Sequence, residues 1–339
     1  MRGLPLVALI LAGCATTSVP QTATAPLVAA TAETDPVDTA ADAADDPAIW
    51  RNPADPAKSL VIGTDKKAGI HVYSLAGKRL SFTPADRLNN VDLRTVGTRV
   101  IAAASDRANV DAAHVSLFTL DTAAARLVPL GRFPVGPGEA YGMCLWTRAR
   151  DHALFGFVVL KDGRIDQVAI DVSRTVPKVT TVRSMKLASQ AEGCVVDDRT
   201  GLLYVAEEDV GLWRFDADPA APATATPIAR VDGRTLVADA EGLALAPSGR
   251  RGGYLVVSSQ GDNAYTLYRL PGVTYAGRFR IGGGAIDGTS DTDGIDLMLG
   301  DFGPAYPGGL FVAQDGDNAP DTQNFKLVSW TAVRRALRR

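Results

Sequence analysis

The chain has 339 residues, 46% of them hydrophobic, and a formal net charge of -3, which describes a soluble globular protein without the basic excess that nucleic-acid binding needs. Any charge that serves function must therefore be local. Length leaves one or two domains open, because all-β units run well past about 200 residues.

At the N-terminus Met1-Arg2 precedes an apolar run from Leu4 to Leu11, the charge and hydrophobicity order of an export signal, and the run is too short to cross a bilayer. Leu11-Ala12-Gly13-Cys14 resembles the bacterial lipobox, which implies removal of residues 1–13 and a lipid on Cys14. Ala15 and Thr16 lack the aspartate of an inner-membrane retention signal, so the expectation is an exported protein held at the outer membrane by its lipid alone. Residues 14–44 are rich in Ala, Thr and Pro without apolar period and read as a flexible tether, leaving 45–339 as one folded domain. Cys144 and Cys194 remain in a compartment where a disulfide can persist; the reading is two buried thiols, with a bridge left open.

From residue 45 onward the chain repeats itself. Tyr141-Gly142-Met143, Glu192-Gly193-Cys194, Glu241-Gly242-Leu243 and Asp293-Gly294-Ile295 follow one another at steps of 51, 49 and 52 residues. Asn90-Val91-Asp92 and Asp46-Pro47-Ala48 extend the series backwards to six units. Each unit continues into a second strand-like run ending in a polar motif. Leu60-Val61-Ile62 runs into Asp65-Lys66-Lys67, Val100-Ile101-Ala102 into Asp106-Arg107, Phe155 to Leu160 into Lys161-Asp162, and Leu203-Tyr204-Val205 into Glu207-Glu208-Asp209. Leu255-Val256-Val257 into Gln260-Gly261-Asp262 and Leu310-Phe311-Val312 into Gln314-Asp315-Gly316 complete the set. Six antiparallel modules of this length predict an all-β six-bladed propeller. In an antiparallel pair the start of the first strand and the end of the second share one end, so the polar motifs are expected on one face around the central channel.

That face would gather many carboxylates, among them Asp45, Asp46, Glu139, Glu192, Glu208, Asp239, Glu241, Asp287 and Asp293. At an effective dielectric of about 20, two unit charges about 4 Å apart repel by about 4 kcal/mol, so bound cations are the natural remedy. Oxygen ligands without accompanying His or Cys select Ca²⁺. Lys66, Arg107 and Lys161, with Tyr141 beside them, supply positive charge that a calcium store would not need and that suits phosphate bridged to metal. No Gly-x-Ser-x-Gly elbow, Walker loop or His-Glu-x-x-His is present. Cys144 stands six residues before Arg150, but the residues between lack glycines to cradle a phosphate, so the spacing reads as coincidence. What remains is a metal-activated water attacking phosphorus in line.

Asp45-Asp46-Pro47-Ala48-Ile49-Trp50, Asn89-Asn90-Val91-Asp92, Ala206-Glu207-Glu208-Asp209, Ser258-Ser259-Gln260-Gly261, the run Asp287 to Asp296 and the run Gly309 to Gly316 together resemble the β-propeller phytases, also called alkaline phytases. The resemblance spans about Asp45 to Trp330. It implies a calcium-dependent phosphatase acting on phytate, the hexakisphosphate of myo-inositol. Asp46, the carbonyls of Pro47 and Val91, and Asp287 are similar to ligands of a structural calcium joining the first and last blades. Glu192, Glu208, Asp239, Glu241, Gln260 and Asp293 are similar to the catalytic calcium shell. Lys66, Arg107, Tyr141 and Lys161, with Asn90 nearby, resemble the groups that grip and act on substrate phosphates. Where the family has Lys-Glu this chain has Lys161-Asp162, whose shorter acid reaches less far. The rivals are a calcium-propeller lactonase, disfavoured by the three cations, and a non-catalytic lipoprotein that binds calcium or inositol phosphate. A monomer without nucleic-acid partners is expected.

Overall fold

The computed structural model describes residues 22–338; the export signal 1–13 and Cys14 lie outside them. Six β-sheets run in chain order, and five of them hold four consecutive antiparallel strands of their own. Blade one comprises Ala44–Trp50, Leu60–Asp65, Gly69–Ser74 and Arg79–Pro84, and blade two Leu88–Val96, Arg99–Asp106, Ala112–Asp121 and Arg126–Pro137. Blade three is Ala140–Thr147, Leu154–Leu160, Arg164–Asp171 and Lys178–Lys186; blade four is Ala191–Asp197, Leu202–Glu207, Gly211–Asp216 and Thr226–Arg230. Blade five is Ala240–Ser248, Gly252–Ser259, Ala264–Leu270 and Thr274–Ile281, while blade six contributes only Ile295–Leu299, Gly309–Asp315 and Asn324–Ser329 before the helix Trp330–Ala336. The six-bladed expectation from the repeats is met.

Local sequence explains the layering. Second strands are sandwiched between neighbouring blades and are apolar along their middle, and in Leu154–Leu160 every residue is apolar and buried. Two-sided burial removes the alternation that a half-exposed strand shows. The outermost strands, such as Lys178–Lys186, face solvent and are mixed in composition, which is why no clear run marked them in the sequence. Between blades three and four Trp146, Phe155, Phe157, Val205 and Phe215 form one continuous apolar layer. The other interfaces are built alike, so the core is a ring of wedges around the channel.

The described part of the predicted tether is not free. Ala32–Glu33 pairs antiparallel with Asn324–Ser329 and supplies the fourth strand that blade six lacks. Leu27–Val28 pairs in parallel with Thr274–Ile281 of blade five. Val28, Val37, Ala43 and Ala44 are buried. An exposed sheet edge is a row of unpaired backbone groups, and covering two such edges orders a segment whose composition alone does not. Among the described residues no helix is long and apolar enough to cross a membrane.

Cys144 and Cys194 form a disulfide between the innermost strands of blades three and four. This corrects the expectation of two thiols: neighbouring innermost strands run close enough around the channel for the sulfurs to meet. It also removes Cys144 as a nucleophile, and Arg150 pairs instead with Asp218 at 2.8 Å.

Candidate functional site

The start of each innermost strand lies opposite the end of its second strand, as in Ala44 with Asp65, Leu88 with Asp106, Ala191 with Glu207 and Ala240 with Ser259. The polar motifs therefore meet at one mouth of the channel. In blades one to five the innermost strand carries a register shift directly after that first pair. A β-bulge of this kind inserts one extra residue and re-aims a side chain. The residue after the pair is Asp45, Asn89, Tyr141, Glu192 and Glu241 in the five blades, and Asp293 stands in the same place in blade six, where its carbonyl accepts from Gly242 N at 2.8 Å. The repeat is thus shifted by one in the first two blades: Asp45 and Asn89, not Asp46 and Asn90, are the equivalents of Tyr141 and Glu192. Each of these doublets offers two similar residues, and only the bulge decides between them. At the next position Gly142, Gly193 and Gly242 lie so close to the following blade that a Cβ would be driven into the main chain of Glu192, Glu241 and Asp293. Glycine there lets the ring close tightly.

One side of the mouth is acidic. Glu192, Glu208 and Glu241 are buried and place one ligand oxygen each within 4.8 Å of one another. Burial raises the pKa of Glu192 and Glu241 well above the usual carboxylate range, and neighbouring acids raise both further. Burial followed by the charge of Asp45 pushes Asp293 up to about 7. Glu241 Oε2 and Asp45 Oδ2 are buried without a hydrogen-bond partner. Gln190 Nε2 donates to Glu208 at 2.9 and 2.8 Å, and Gln260 Nε2 donates to Asp293 Oδ1 at 2.7 Å. Asp239 and Gln260 line the same depression of about 730 Å³ as Glu208, Glu241 and Asp293. Converging carboxylates with orphaned oxygens, held by amides that leave other lone pairs free, fit a hard divalent cation.

The other side is cationic through Arg107 and Lys161, while Lys66 reaches back to the acids. Arg107 donates from Nη1 to Asn89 Oδ1 at 2.7 Å and pairs through Nη2 with Glu139 at 2.5 Å. Its guanidinium lies 5.2 Å from the centre of the Tyr141 ring, and Lys161 Nζ lies 5.3 Å from the same centre. Asn89 Nδ2 donates to Glu192 Oε1 at 2.8 Å, so one buried amide joins the two halves. Burial, and then the charge of Glu192, keep the Tyr141 hydroxyl protonated far above its ordinary range. Lys66 Nζ reaches Asp45 at 3.0 Å, Asp293 at 3.1 Å and Asp42 at 2.7 Å. Burial opposes its charge, but these three acids outweigh that and hold its pKa above the usual value.

The remaining candidates sit elsewhere. Asp46 points below the mouth: it accepts from Val91 N at 2.9 Å and lines the channel with Pro47, Val91 and Asp296. Asn90 lines the same channel but stays beside the mouth, with its side-chain amide 3.0 Å from that of Asn89. Asp287 does not join them, as the resemblance implied; it is exposed and held by Lys326 of blade six. Asp162 turns outward to Lys186 at 3.1 Å, because the turn after Lys161 sends successive side chains to opposite sides. Asp45, Asn89 and Gln190 had no assigned role in the sequence, although the first two stand inside the motifs that carried the resemblance.

The sequence matches the family described as Phytase over residues 3–339. It is similar to the 3-phytase of Bacillus subtilis (strain 168), 42% identical over 328 residues that cover 91% of this chain and 85% of the relative. Among solved structures it is similar to Kuenenia stuttgartiensis hydrazine synthase, with a TM-score of 0.52 and 10% identity covering 84% of this chain and 83% of that one. That likeness concerns the fold alone.

Proposed function

The chain belongs to the phytase family, and on that premise we propose that it releases phosphate from phytate in a calcium-dependent reaction at the channel mouth. The observation that carries this reading is the juxtaposition of the buried Glu192, Glu208 and Glu241 with Lys66, Arg107, Lys161 and Tyr141 around one opening. Each phosphomonoester carries about -1.5 to -2 at neutral pH, so six amount to roughly -9 to -12. An acidic mouth repels such an anion unless cations reverse its sign.

Glu192, Glu208, Asp239, Glu241, Gln260 and Asp293 would hold calcium, with Asp45 added to them. Bound calcium supplies positive charge against the phosphate and activates an attacking water. Arg107, kept in place by Asn89 and Glu139, offers a planar fork to phosphate oxygens, and Lys161 acts as a point charge. The Tyr141 hydroxyl, protonated across the working pH range, donates to a phosphate oxygen. With Cys144 and Cys194 in a disulfide, no thiol among the described residues competes as nucleophile. Asp46, with the carbonyls of Pro47 and Val91, is proposed for a separate structural calcium, without Asp287. Outside the described residues, the lipobox supports an exported protein anchored at the outer membrane through Cys14, and a monomer is proposed.

The test uses protein beginning at residue 22, because a start at 45 would remove the strands that complete blade six and cover the edge of blade five. Phosphate release from phytate is expected with calcium, none with chelator, and full recovery when calcium returns. Undiminished turnover in chelator refutes the metal mechanism. Tight phytate binding without phosphate release over hours establishes the binding-protein alternative.

A further inference from the structure

Lys66 is out of place for a residue that only grips substrate. Its ammonium lies against Asp45 and Asp293, on the acidic side of the mouth, with 13% of its side chain exposed. Asp45 occupies the ring position at the bulge of blade one and Asp293 the equivalent place in blade six, and Asp45 retains a buried oxygen without a partner. Arg107 and Lys161 stand apart from this, stacked on Tyr141.

We infer that Lys66 and a divalent cation contend for the same oxygens of Asp45 and Asp293, so that cation binding turns Lys66 out toward the substrate phosphate. The inference rests on the calcium reading proposed above. An ammonium about 3 Å from a carboxylate oxygen occupies the volume and the charge deficit that a metal ion would fill. Two cations cannot share those oxygens without strong mutual repulsion. The main chain of Lys66 is fixed by a 2.7 Å bond from its N to Ala43 O, so exchange needs only side-chain rotation. Lys66 lines the depression, and its displaced ammonium would enter the space where a polyphosphate lies. Calcium and polyanion then favour the same lysine position. Each must raise the affinity for the other by one common factor.

Calorimetric titration of the full chain with calcium alone tests this without turnover. Lys66→Met removes the competitor and should bind calcium about tenfold more tightly, within the usual range of such couplings, while releasing less phosphate from phytate. Lys66→Arg, which keeps the competing charge, should bind calcium with near wild-type affinity. With myo-inositol hexasulfate present as an unreactive polyanion, wild type should bind calcium several-fold more tightly, and Lys66→Met should lose most of that gain. If circular dichroism shows Lys66→Met misfolded, Lys66→Gln, which keeps a polar end for Asp45 and Asp293, serves in its place with the same expectations. Unchanged or weaker calcium binding in the folded variant overturns the inference. Wild type that binds no calcium overturns the functional reading itself, whereas wild type that binds and hydrolyses beside an unshifted variant overturns only the competition.

Discussion

Lys326 holds the seam where the propeller closes, and replacing it with methionine isolates what that seam contributes. Its Nζ lies 2.6 Å from Glu33 of the N-terminal strand, 3.1 Å from Asp315 and 2.9 Å from Asn318, and it also pairs with Asp287. Neither the Lys326 nor the Asp315 side chain has measurable exposure. Methionine keeps most of the volume and leaves Asp315 as a buried carboxylate without a counter-charge, a defect worth about 3–5 kcal/mol. Unfolding about 300 ordered residues carries an entropy of about 0.6 kcal/mol/K, so the melting temperature should fall by about 5–8 °C. Scanning calorimetry in chelator at pH 7.5 measures it. Burial already raises Asp315 to about 6, and loss of Lys326 can only raise it further. At pH 5 the carboxyl is then protonated and the penalty should shrink. Asp315→Asn added to Lys326→Met should recover part of the loss at pH 7.5. A fall below about 2 °C, or one equal at both pH values, would refute the reasoning.

Glu208→Gln should lower phosphate release at fixed calcium by about 10²-fold or more, by analogy with losing one preorganised group, while melting moves by less than about 2 °C; a phosphate assay beside calorimetry reads both. His71 is fully buried between Tyr73 and Phe82, and burial pushes its pKa down to about 4. Its native state is neutral while the unfolded chain titrates near 6.5, so its stability is complete above about pH 6.5 and lost as pH falls through 4, up to about 3 kcal/mol. Urea unfolding between pH 7 and 4 should accordingly fall less steeply for His71→Phe than for wild type. Cys144 and Cys194 close a separation of 50 residues, so their double replacement by alanine should cost about 4 kcal/mol in a chain-entropy account; an unchanged denaturation midpoint would contradict it.

Much of the site was legible because the repeat carries its own geometry. Once Glu192, Glu241 and Asp293 are seen to recur before glycines, the antiparallel hairpin places them with Lys66, Arg107, Lys161 and Glu208 at one mouth, and the structure does so. Asp45 and Asn89 were not separable from Asp46 and Asn90, since both members of each doublet suit the same pattern. The pairing of Asp287 with Lys326 of blade six was not legible, because a motif names a residue type and leaves its neighbours unspecified.

Sequence by itself determined the number of blades, the face on which charge collects and the chemistry of that charge, because all three follow from strand periodicity and residue type, which are local. Tertiary structure decided what depends on approach between distant segments. Bulges chose which acid enters the ring. Backbone pairing with the open edges of blades five and six ordered residues 27–44, which no apolar pattern announced. The packing of neighbouring innermost strands brought Cys144 to Cys194, and the crowding of acids drew Lys66 to Asp45 and Asp293. Each of these is settled by what one part of the chain meets when the ring closes, and a linear pattern contains no term for that meeting.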